Sequence, residues 1–157
     1  MKNGLIIFGI TLPFLLLQDF VFNRQIPLLG GIVFAIPFVS LNFLIKKQLP
    51  QIDSKEILKK VFLLALNTGL FYALWVGSYH YIVNCLLKPE YISVQLEALK
   101  SAEILGRKFT TQELEMQFKV LKSPFSWILS ALFFYSMLFS ILGLIFGYLY
   151  KSKVNKK

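Results

Sequence analysis

Charge is scarce in this chain. Only 16% of its 157 residues are Asp, Glu, Lys or Arg, whereas 56% are hydrophobic. A soluble domain of this size cannot hide so much apolar surface, so lipid is the expected solvent for much of it. Cysteine is scarcer still: Cys85 alone excludes an internal disulfide and any metal or iron–sulfur site built on several thiolates. The single histidine, His80, leaves no HExxH pair, and neither GxSxG, a Walker loop nor paired intramembrane acids occur. No catalytic residue, metal ligand set or cofactor site is therefore expected, and the chain is read as a non-enzyme. Glycine is also sparse, nine residues against sixteen phenylalanines. The long apolar runs do not alternate with polar residues as barrel strands would, which leaves helices.

Four runs are long and apolar enough to cross a bilayer, for which a helix needs about 20 residues. They are residues 4–22, 27–45, 61–87 and 125–150. The first follows Met-Lys-Asn as a signal peptide would. Pro13 interrupts it, however, and Gln18-Asp19-Phe20 stands where a small-residue cleavage site belongs, so a retained helix is expected.

The basic residues divide unevenly between the two sides of such a bundle. On the side shared by the N-terminus, residues 46–60 and the basic tail 151–157, ten bases face two acids, a balance of +8. On the other side seven face six, a balance of +1, and the two make up the net +9 of the chain. The positive-inside rule then places both termini in the cytoplasm. Bases spread over short connectors and a tail suit anionic headgroups rather than nucleic acid, so the bilayer is the expected partner and nucleic acid is not.

Helix signals mark the connections. Asp53 and Glu56 have capping-box spacing ahead of the third span. Residues 88–123 form the only sizeable region outside the membrane, and two helices are expected there. Pro89 opens the first, whose stripe is Leu96, Leu99 and Ala102, and Gly106 stops it. Thr110 and Glu113 cap the second, with Phe109 and Leu114 placed as a hydrophobic staple. Leu114, Phe118 and Leu121 then repeat as an apolar face, with acids early and bases late along the helix dipole.

This order of features carries a resemblance: a lead-in IDSKEILKKVF, a proline-bearing exit LKPEY, a charged helical hairpin, and a last span opening at Ser123-Pro124 before a lysine-rich tail. It resembles the small bacterial membrane proteins grouped as the domain-of-unknown-function 4199 family, over nearly the whole chain. The resemblance implies a multi-pass protein of the bacterial cytoplasmic (inner) membrane with an extracytoplasmic hairpin. It brings no established activity and no catalytic residues.

Several positions invite a sharper reading. Ala65, Gly69, Ala73 and Gly77 in the third span, and Ser140, Gly143 and Gly147 in the fourth, form stripes of small side chains that admit a close helix. They mark either a dimer contact or, as a four-helix bundle itself requires, packing within one subunit. Pro13 and Pro37 each remove a hydrogen bond near mid-span, giving kinks or the broken helices of a transporter. Asp19 is the one acid inside an apparent span, read either as an intramembrane functional group or as an interfacial carboxylate paired with Arg24. Asn67 and Thr68 offer hydrogen bonds across to another helix. Tyr79, His80 and Tyr81 fall at the outer boundary, as an aromatic belt does, with Cys85 a lone thiol beyond. Asp19 and His80 lie at the same predicted depth and would pair if the first and third helices are neighbours.

The expectation is an all-α integral membrane protein: a single membrane domain of four transmembrane helices, with an extracytoplasmic two-helix hairpin (88–123) between the third and fourth. Its expected role is a non-enzymatic interaction or assembly subunit whose hairpin docks a membrane-protein partner, or which forms a homo-oligomer. The alternative is a small transporter or lipid-handling protein with a cavity between the proline-bearing helices.

Overall fold

A computed structural model describes residues 2–22, 27–101, 103–104 and 107–154. Arg24, Ala102 and Gly106, each given a role by the sequence, lie outside those residues.

The described chain is almost wholly helical. Helix α1 (Lys2–Leu16) runs through Pro13 and widens into a π-helical turn at Leu17–Val21, closed by Phe22 N–H donating to the Leu17 carbonyl at 3.0 Å. Helix α2 (Pro27–Gln48) opens on a proline, whose missing N–H costs nothing at that position, and likewise runs through Pro37. Helix α3 (Ile57–Tyr81) widens at Ile82–Leu87 and ends just before Pro89, where the ring disfavours further helix. Helix α6 (Pro124–Val154) is the longest. Four helices are long and apolar enough to cross a membrane: Lys2–Val21, Pro27–Gln51, Ile57–Leu87 and Pro124–Lys153. They overrun the apolar runs at their basic ends, because helical hydrogen bonding does not depend on hydropathy.

Between the third and fourth spans lie α4 (Glu90–Ser101) and α5 (Thr111–Lys122), which pack on each other. A short antiparallel ladder joins them, β1 (Glu103–Ile104) against β2 (Arg107–Lys108), with Glu103 opposite Lys108. At the end of α4 the Ser101 hydroxyl donates to the Ala98 carbonyl at 3.0 Å. The cap on α5 forms as its spacing predicts. Thr110 Oγ1 accepts from Glu113 N–H at 3.3 Å, while Glu113 Oε2 accepts from Thr110 N–H at 2.8 Å. Such a cap contributes about 1 kcal/mol to its helix. Ahead of α3, Asp53 accepts from Lys55 N–H at 3.0 Å, and Glu56 pairs with Lys60 at 2.8 Å.

The described residues group into two compact units, Met1–Trp75 with Leu132–Lys157 and Val76–Ala131. Within the first, α1 and α2 run antiparallel: Ile6, Ile7 and Ile10 line a groove with Lys47, Phe43 and Val39, and Gly30 lies beside Gln18 near the other end. Segments of α3 and α6 also run antiparallel there, with Gly69 against Phe139 and Gly147 against Leu58. Near those same ends the Tyr150 hydroxyl donates to Asn42 Oδ1 at 2.6 Å, tying α6 to α2. Tyr72 of α3 is buried against α6, 1% exposed, edge-on to Tyr135 at 5.0 Å and stacked with Phe139 at 5.7 Å. Large apolar side chains cover the outside, among them Leu28, Val39 and Phe133, each at least 70% exposed. Water does not tolerate so large an apolar surface, whereas hydrocarbon does.

Candidate functional site

Glycine lets two helices touch where the stripes of small residues lie. A Cβ added at Gly69 would stand 2.6 Å from Phe139 Cβ, and one at Gly143 would stand 2.6 Å from Ala65 Cβ. Ala73 is fully buried, Ser140 half-buried, and Gly147 faces Leu58. In the second unit Gly77 abuts Ile128, where an added Cβ would come within 2.8 Å of that residue's Cα. These contacts all lie within one chain. Gly4, which sequence reasoning passed over, is as tight: its Cβ would meet Phe71 Cβ at 2.6 Å and Tyr72 N at 2.7 Å. It stands too close to the N-terminus to belong to a periodic stripe.

The polar residues of the spans are mostly satisfied by their own helices. Thr11 donates to the Ile7 carbonyl at 2.8 Å and Thr68 to the Leu64 carbonyl at 2.7 Å. Ser136 and Ser140 bond back in the same way, to Leu132 and Ser136. Thr68 therefore serves its own helix rather than a neighbour. Among the described residues, every buried side-chain nitrogen or oxygen has a hydrogen-bond partner.

Asp19 is 3% exposed, within the widened turn at the end of α1, and Arg24, its expected partner, lies outside the described residues. Asp19 belongs to the first unit and His80 to the second. Asn84, 2% exposed in the widened turn of α3, is a buried polar group that no sequence signal marked.

The second unit centres on the end of α5. The Leu121 carbonyl, one of the last of that helix and so without a helical partner, accepts Trp127 Nε1–H at 2.7 Å and the Cys85 thiol at 3.3 Å. Cys85 is thus a free thiol employed as a cap, half-buried rather than stranded in water. The His80 ring sits 6.4 Å from Trp127 and 5.5 Å from Tyr79, an aromatic cluster of the kind a membrane boundary collects. No three His, Cys, Asp or Glu side chains converge on a metal position among the described residues.

Two grooves lie among the described residues. One, of about 370 Å³, lies between α4 and α5 and is lined by Leu96, Leu114 and Phe118, with Lys100, Glu115 and Lys119 at its edges. Leu114, Phe118 and Leu121 are all half-buried, and Lys122 lies 4.1 Å above the Phe118 ring. The predicted apolar face of α5 therefore turns partly toward α4, because both amphipathic helices bury their stripes against each other. The outward positions are taken by Val94 and Met116 instead, at 62% and 67% exposure. The second groove, of about 460 Å³, lies between α1 and α2, lined by Ile10, Val39, Phe43 and neighbours, with Ser40 and Lys47 its polar members.

No protein-family model, curated protein or solved structure matches the chain.

Proposed function

We propose that this is a non-enzymatic subunit of a bacterial cytoplasmic membrane, its termini inside, whose α4–α5 hairpin docks a partner on the extracytoplasmic side. One observation carries the reading. The hairpin keeps an open apolar groove edged by both signs of charge, and beside it Val94 and Met116 face outward. An apolar groove beside charged side chains offers a partner both a place for an apolar side chain and ion pairs around it. The resemblance to the domain-of-unknown-function 4199 family supports the bacterial location, and the +8 balance of the basic side supports the orientation.

The α1–α2 groove favours a second reading, lipid handling rather than transport of a polar solute. Its walls are mostly isoleucine, valine, leucine and phenylalanine, which suit an acyl chain, with Ser40 and Lys47 the polar groups beside them. The two readings separate in one experiment. A photo-crosslinking residue is placed at Met116 or at Val39 in intact cells. The docking account expects one discrete protein adduct from position 116, lost when Phe118→Glu charges the groove, and only lipid adducts from position 39. Lipid adducts alone from both positions would overturn it.

A further inference from the structure

Asn67 sits where an amide should not. Exposed Lys59 and Lys60 mark the basic edge of the third span, and Asn67 lies seven residues further along, about 10 Å into the hydrocarbon at 1.5 Å per residue. Its side chain is too short to reach back to the headgroups. The core-facing stripe of α3 is Val61, Ala65, Thr68 and Tyr72, all buried. Asn67 is on the opposite face and is exposed, with no hydrogen-bond partner among the described residues. Lipid tails can neither donate nor accept, so this amide must find its partner on another transmembrane helix.

Its neighbours show what kind. Leu63, Asn67, Leu70 and Leu74 repeat at i, i+4, i+7, i+11, the heptad spacing of a helix-pairing seam, and fall within one narrow stripe. Leu63 and Leu74 are 43% and 38% exposed, and Leu70 is half-buried. We infer that this stripe pairs two copies of the chain, Asn67 to Asn67. Copies inserted in the same orientation are related by a twofold axis along the membrane normal, so their third helices run parallel and each seam residue meets its equivalent. Asparagine is self-complementary under that symmetry. Each amide N–H donates to the other's carbonyl, which satisfies both side chains at once. A single polar residue in a leucine seam also fixes register and copy number, because any slipped pairing leaves two amides bare. The seam is separate from the hairpin, so the inference stands whether or not the hairpin docks a partner.

The test uses the full chain in native membranes on a Cys85→Ser background, where serine can still donate to the Leu121 carbonyl. Single cysteines at Leu63, Leu70 and Leu74 are oxidised alongside Val39→Cys and Phe133→Cys, exposed positions on α2 and α6. The seam positions are expected to give a disulfide-linked species of twice the chain mass, and the controls little. Adding Asn67→Ala should lower the linked fraction at limiting protein by about tenfold, the scale of one interhelical hydrogen-bonded pair, and Asn67→Gln should restore part of it. Cross-linking that is absent at the seam, equal at the controls, indifferent to Asn67→Ala, or directed to a different protein would overturn the inference. If Asn67→Ala fails to accumulate, the three leucine positions still decide, since they leave Asn67 intact.

Discussion

Gly143→Val is expected to destabilise the chain by about 3 kcal/mol, the upper range for forcing side-chain atoms into a closed interface. The first added carbon would already lie 2.6 Å from Ala65 Cβ and 3.2 Å from Phe62 Cα. Neither atom can swing away, because one is fixed directly to its backbone and the other is backbone. Relief requires α3 and α6 to part, which loses the dispersion contacts that hold membrane helices together where no hydrophobic driving force exists between them. Gly147→Ala should cost less, since the nearest atom there is the flexible tip of Leu58 at 3.0 Å. Gly9→Ala and Gly31→Ala, which meet nothing within 4 Å, should be neutral or stabilising by up to about 1 kcal/mol. Denaturation of the purified protein by detergent titration, followed by circular dichroism, ranks the four. A harmless Gly143→Val would mean that the two helices are not in contact there.

Tyr72→Ala is expected to cost about 4 kcal/mol, as removal of a fully buried aromatic side chain does. The ring touches both aromatic faces presented by α6, edge-on to Tyr135 and stacked on Phe139. Truncation leaves a void that lipid cannot fill from outside, and the two α6 rings lose their partner together. Tyr72→Phe keeps the ring and should lose only about 1 kcal/mol with the hydroxyl's interactions. The same titration reads both variants. Equal losses would place the stabilisation in the hydroxyl rather than in the packed ring.

Why some features were legible in the sequence and others were not follows from what each depends on. The four spans depend on run length and hydropathy, which are local, and the Thr110–Glu113 cap depends on a three-residue spacing. Both could be read directly. The small-residue stripes could be read as contact faces, though not the side chains they admit: Phe139, Ala65 and Leu58 come from elsewhere in the chain. The rotation of α3 was hidden because a span apolar on every side has no polar face to mark the outside. Asn67 and Thr68 thus looked alike in sequence, yet one is exposed and the other buried. The burial of Asp19, 3% exposed in the widened turn at Leu17–Val21, was not legible either, because an apolar run carries no sign of where its helix widens. Cys85 and Trp127 meet at one carbonyl of α5, a tertiary arrangement with no signature along the chain.

The proposed function requires that the chain cross a membrane four times, with α4 and α5 on the opposite side from both ends. Labelling with a membrane-impermeant thiol reagent in intact spheroplasts tests that most directly, on the Cys85→Ser background with single cysteines at Met116, Lys55 and Lys151. All three positions are exposed. The account predicts that Met116→Cys reacts in intact spheroplasts, whereas Lys55→Cys and Lys151→Cys react only after the membrane is permeabilised. Labelling of Lys151→Cys without permeabilisation, or protection of Met116→Cys until then, would contradict it.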